Sequence, residues 1–213
     1  MLIKNFPDVP KLLGNSDARS ERASQLLDPH IVPLTAFVEE LRTLRGATER
    51  IPNFDPWDGG VEAEILFLLE APGRKAVESC FVSRNNPDET AKNFFELNAE
   101  AGIPRKRTVV WNIVPWYIGS GTKIRPARRV DIDDGIQSLG YLLKLLPKLQ
   151  AVVLVGRKAE HAGEDIVRIN SRLYVHRSPH PSPLFINHAP ENRERILKVL
   201  REVAAQLPLT QAG

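Results

Sequence analysis

Apolar residues in this chain recur with two different periods, and their alternation predicts its architecture. Four short runs are apolar almost throughout: residues 65–69 (ILFLL), 109–114 (VVWNIV), 151–155 (AVVLV) and 173–176 (LYVH). Runs of that length, rich in β-branched residues, predict strands buried on both faces. Around them the spacing becomes helical. Residues 31–45 place Leu34, Phe37, Val38, Leu41 and Leu44 on one face and Glu39, Glu40, Arg42 and Arg45 on the other. Residues 131–146 repeat Ile132, Ile136, Leu139, Leu143 and Leu146 at helical intervals, and residues 87–101 open on Asn86, Pro87 and Glu89 as a cap. A last helix is expected from about 190 to 207, and a polar, helix-prone stretch from 16 to 27 ends at Asp28-Pro29. Residues 51–60, IPNFDPWDGG, read as a turn-rich linker.

Strands alternating with helices require crossover connections. The expected fold is therefore α/β, a three-layer α/β/α domain around a central four-stranded, mainly parallel sheet. With 213 residues, 42% of them hydrophobic, the chain can bury one core, so a single domain over 1–213 is expected, with residues 1–60 as a helical lead-in. In open sheets of this kind ligands bind beyond the carboxyl ends of the strands. Glu70 follows the first run, Asn112 lies near the end of the second, Gly156 closes the third and His180 follows the fourth. If the strands are parallel, a carboxylate, an amide, a backbone turn and an imidazole converge on one crevice.

The fourth run leads into the stretch RSPHPSPL (177–184), where Pro179, Pro181 and Pro183 fix φ and remove three backbone donors. Such a loop is stiff, and it holds His180, Ser182 and Leu184 in one arrangement. Charge adds a second indication. The net charge is only +3, but residues 101–130 carry Arg105, Lys106, Arg107, Lys123, Arg125, Arg128 and Arg129 with no acid, and residues 166–190 carry three arginines and three histidines, again with no acid. Two basic stretches flanking the loop point to a polyanion such as nucleic acid, with ordinary surface charge as the alternative. Trp111, Trp116 and Tyr117 are either stacking platforms for an unpaired strand or core.

Other chemistries find little support. No glycine-rich phosphate loop is present and no serine or cysteine occupies a nucleophile elbow. Cys80 is the only cysteine, which rules out thiolate clusters and disulfides and fits a reducing, cytoplasmic setting. His176, His180 and His188 could ligate a metal, but their proline-stiffened loop lacks an acidic partner, so no metal and no cofactor are expected. No apolar run is long enough to span a membrane. A carboxylate facing an imidazole, with an amide to read hydrogen-bonding edges, suits cleavage of a glycosidic bond through an oxocarbenium-like transition state.

Four segments resemble the uracil-DNA glycosylase superfamily, in the family's order: LEAPG (69–73), VVWNIV (109–114), VGRKAEHAG (155–163) and HPSPL (180–184). The first is similar to the opening motif of the iron-sulfur glycosylases, and the last is identical to the closing motif of the main uracil-DNA glycosylases. The resemblance covers about residues 62–205. It implies a monofunctional DNA glycosylase that hydrolyses the N-glycosidic bond of deoxyuridine and leaves an abasic site. Glu70 and His180 are the implied catalytic pair, with His180 donating to uracil O2 and Glu70 facing the sugar cation. Ala71, Phe81 and Asn112 are implied to bind the base, Phe81 by stacking and Asn112 by reading O4 and N3–H. Ser182, Leu184, Arg157, Lys158 and Arg177 are implied DNA contacts, with Leu184 filling the gap left by the flipped base. Taken singly, Phe81 reads equally as core, Asn112 as a strand-end cap and Leu184 as an exposed apolar residue.

The expected partner is uracil-containing DNA, single- or double-stranded, with uracil as product, no membrane partner and a monomeric state. Three departures stand out. Ala71 replaces the main family's water-activating aspartate, Gly73 replaces its thymine-excluding tyrosine, and one cysteine cannot supply the four ligands of the iron-sulfur branch. The missing aspartate leaves an alternative open: a non-catalytic or covalently trapping protein that binds uracil or abasic sites.

Overall fold

The computed structural model describes residues 6–46, 50–120 and 123–207. Its centre is a sheet of four parallel strands: β1 (Ile65–Leu69), β2 (Thr108–Asn112), β3 (Ala151–Val155) and β4 (Tyr174–Ser178), in the order β2-β1-β3-β4. β1, β2 and β3 are buried on both faces because helices cover both. Register pairs Leu69 with Asn112 and Val155 with Ser178, so the four carboxyl ends lie on one side of the molecule.

Eight helices among the described residues surround the sheet: α1 (Ser16–Ser24), α2 (Val32–Arg45), α3 (Arg74–Ser79), α4 (Glu89–Glu100), α5 (Arg129–Lys144), α6 (Gly163–Ile169), α7 (Pro183–Ile186) and α8 (Glu191–Gln206). The helical periodicity in the sequence locates α2, α4, α5 and α8 to within two residues or so. On α2, Leu34, Phe37, Val38 and Leu41 are buried as expected, but Leu44 is 75% exposed because the helix runs past the core before it ends. β2 is shorter than expected. Ile113 and Val114 still donate to the carbonyls of Leu69 and Glu70, yet the chain bends there ahead of Pro115.

Residues 51–60 are not a linker. Phe54, Asp55, Asp58 and Gly59 are buried, Phe54 stacks on Trp111 at 3.8 Å between ring centroids, and Asn53–Phe54 pairs in parallel with Phe81–Val82. Trp111, Trp116 and Tyr117 are likewise core, which removes them as platforms for an unpaired strand.

Several cations of the basic stretch over 101–130 are paired with acids, although Lys106, Arg128 and Arg129 stay exposed. Arg105 joins Asp8, Asp55 and Asp58, Arg107 pairs with Glu64, Arg125 with Asp131 and Arg129 with Asp133. Arg105 and Arg107 meet acids from distant parts of the chain, and Arg125 and Arg129 meet acids at the start of α5, so an acid-free sequence window overstates the free positive charge.

Candidate active site

The carboxyl ends of the strands enclose a cavity of about 530 Å³ whose lining includes Glu70, Ala71, Val82, Asp88, Phe94, Asn112 and His180. Each polar group arrives from a different element. Glu70 is the first residue beyond β1, and its Oε1 accepts a 2.7 Å hydrogen bond from the Ala127 amide. The loop that carries Ala127 is tied down in turn: Lys158 Nζ donates to the Ala127 carbonyl at 2.9 Å, and Asp131 bonds both Arg125 and the Arg128 amide.

Asn112 ends β2. It is 3% exposed, and its Nδ2 is buried without a hydrogen-bond partner. A buried donor left unpaired costs roughly 1–3 kcal/mol. Asn112 is among the residues that line the cavity, so an entering group that offers the amide an acceptor would relieve that cost.

His180 is placed by its stiff loop and by the strand next to it. Gly156 closes β3 with φ +85°, a left-handed backbone that favours glycine, and its amide donates to the Ser178 carbonyl at 2.8 Å. A Cβ at Gly156 would lie 3.3 Å from the Cβ of His180, so the absent side chain permits the close approach. On the other side, Asn93 Nδ2 of α4 donates to the Pro181 carbonyl at 3.0 Å. Burial lowers the imidazole pKa, outweighing the attraction of Glu70 and Asp88, so the ring is neutral near pH 7 and presents an N–H donor.

The structure thus brings Glu70, Ala71, Asn112 and His180 to one cavity. Phe81 is not with them: it is 1% exposed on its two-residue ladder and absent from the lining, where the apolar surface comes from Val82 and Phe94 instead. The expectation of Phe81 as the stacking platform is corrected accordingly. Gly73 lines the cavity with open space where a Cβ would project.

A second cavity of about 510 Å³ adjoins the first, shares Glu70 and His180 with it, and is lined further by Gly156, Arg157, Lys158 and His161. Arg157 is exposed there, whereas Lys158 spends one donor on Ala127. Arg177 is exposed on β4 opposite Leu154 and lines neither cavity. Ser182 caps α7 by accepting from the Phe185 amide at 3.3 Å, and Leu184 stands 85% exposed beside it.

Asp88, Phe94 and the Ala127 amide were not anticipated from sequence. Asp88 is the N-cap of α4, accepting from the Ala91 amide at 2.9 Å. Its place between Pro87 and Glu89 carried the capping signal that would have marked it. Among the described residues no three His, Cys, Asp or Glu side chains gather as a metal-holding group, and no helix is long and apolar enough to cross a membrane. With Cys80 as its only cysteine, the chain cannot build a four-thiolate cluster.

The fold and this constellation define an α/β protein with its site at the carboxyl ends of parallel strands. The family model of the Uracil DNA glycosylase superfamily matches residues 56–204, and the chain belongs to that superfamily, whose chemistry is hydrolysis of N-glycosyl bonds. Among solved structures it is similar to SMUG2 of Pedobacter heparinus, with a TM-score of 0.51 and 13% identity over 84% of this chain and 85% of that one. A putative uracil DNA glycosylase from Methanosarcina acetivorans aligns over 67% of this chain and 92% of that one at 19% identity, with a TM-score of 0.47. No curated protein matches the chain.

Proposed function

We propose that this protein is a monofunctional uracil-DNA glycosylase, acting as a monomer on deoxyuridine in DNA and leaving an abasic site. One observation carries the reading: Glu70, Asn112 and His180, from three different strand ends, line one cavity of about 530 Å³, and the Asn112 Nδ2 is buried without a partner. A deoxyuridine flipped from the stack offers a carbonyl to that donor, while the Asn112 carbonyl oxygen can accept from N3–H. Cytosine presents the opposite polarity at the corresponding edge, so its entry leaves groups unpaired.

As the C1′–N1 bond breaks, its electron pair moves onto the base and charge builds on O2. The neutral His180 ring donates an N–H there, a contribution of about 3–4 kcal/mol where such a donor is preorganised. Glu70, oriented by the Ala127 amide, faces the sugar cation, and water adds at C1′ to complete the abasic product. Exposed Arg157 in the adjoining cavity supplies positive charge for a flanking phosphate, and exposed Leu184 enters the gap in the stack.

Release of uracil from a labelled oligonucleotide tests this directly, with free deoxyuridine as the comparison. Multiple turnovers on DNA, lost in Glu70→Gln and His180→Ala, are expected. Stoichiometric capture of the DNA without turnover would replace the proposal with the trapping protein.

A further inference from the structure

The cavity contains a second carboxylate for which the superfamily resemblance makes no provision. Ala71 stands where the main family has its water-activating aspartate, and a methyl group cannot accept a proton. Asp88 reaches the same cavity from the start of α4, so two carboxylates, Glu70 and Asp88, face the volume that holds His180. Resting on the glycosylase reading above, we propose that Asp88 is the general base that removes the proton from the attacking water. The water oxygen bonds to C1′, the C1′–N1 pair leaves with the base, and the water proton passes to Asp88.

The placement suits that task. The Ala91 amide holds Asp88 Oδ1 at 2.9 Å and fixes the carboxylate, while its remaining lone pairs stay available to a water. Glu70 by contrast is anchored on the Ala127 amide and faces the sugar, so the two acids divide cation stabilisation and proton transfer between them. Burial, with a smaller push from neighbouring Glu89, raises the proton affinity of Asp88 above that of an ordinary aspartate. The Ala91 and Thr90 amides and His180 oppose it. Glu70, Arg74, Lys75, Arg84 and Arg125 are the other charged groups on the cavity wall. A base whose affinity is moved toward the working pH is the more effective for it.

Because Asp88 also caps α4, the deciding variant is Asp88→Asn, since asparagine caps a helix as well as aspartate does but accepts no proton. The full-length wild type and variant are compared in single-turnover uracil release from a single-stranded oligonucleotide, across acid to neutral pH, with melting temperature and oligonucleotide affinity measured alongside. Expected for the variant are an unchanged melting temperature, unchanged affinity and a rate lower by about 10²–10⁴-fold. The wild-type rate falls as acid protonates Asp88, and in the variant the acid limb changes shape because only Glu70 and His180 remain to be protonated.

A variant rate within a few fold of wild type, or an unaltered acid limb, overturns the assignment while leaving the glycosylase reading intact. Loss of the fold in both Asp88→Asn and the cap-preserving Asp88→Ser gives the Asp88 carboxylate a structural role and overturns the assignment as well. Absence of uracil release by the wild type removes both proposals.

Discussion

Asn112 is a residue that stability alone would not select. Its Nδ2 is buried without a partner directly after the apolar residues 109–111, so the free protein bears a desolvation cost that an acceptor on a ligand would relieve. Replacing it by leucine, which is of similar size, is therefore expected to leave the melting temperature equal or higher while uracil release falls by about 10²-fold or more. Thermal melting and single-turnover release measured on the same preparation check both halves. The placement of Asn112, Glu70 and His180 was legible in the sequence because each lies at a strand end, where order along the chain maps directly onto position in a parallel sheet. Phe81 was not, because a motif position does not say which way a ring turns on a two-residue ladder. Asp88 was missed for a smaller reason: α4 starts two residues later than its proline suggests, and the cap moves with it.

At the level of elements, the His180 loop is held from three directions. The Gly156 amide grips Ser178, Asn93 of α4 grips Pro181, and Ser182 caps α7. Gly156→Ala tests the first of these. A methyl at φ +85° costs roughly 1–2 kcal/mol in backbone strain, and it would press on His180 at 3.3 Å. The urea midpoint is expected to fall accordingly, and uracil release to slow even under conditions where the variant is fully folded, because the imidazole is displaced. Release that follows wild type in the folded variant would show that the loop does not depend on this contact. The long elements were readable from periodicity, whereas α3, α6 and α7 were not: at 6, 7 and 4 residues they hold too few turns for a repeat to register.

Across the whole molecule, what the sequence concealed most was where its charges go. Residues 51–60 looked like a linker and 101–130 like a basic, nucleic-acid-facing stretch, yet Asp55 and Asp58 of the first and Arg105 of the second meet in one ionic cluster. Asp55 binds Arg22, Ser83 and Arg105, and Asp58 binds Arg105 beside Arg84. No local window shows this, since the partners lie tens of residues apart. Burial pushes the Asp55 carboxyl up, but Arg105 and Arg22 outweigh it and hold the pKa down at about 2, whereas burial prevails at Asp58 and raises it. The stability from Asp55 is thus present above the ordinary aspartate value and is lost as the pH falls from about 4 towards about 2. Asp58 works in the opposite sense, its share present in acid and lost as the pH rises through its raised value. Asp55→Asn removes the first contribution and strands Arg22, which is 1% exposed, without its counter-charge. The expected cost at neutral pH is about 3–5 kcal/mol by urea unfolding. The acid limb of the stability profile should also become shallower without vanishing, because Asp131, held at about 2 chiefly by its hydrogen bond to Arg125, keeps its own share. A variant as stable as wild type at neutral pH, with the same acid limb, would mean that this cluster contributes nothing net to the fold.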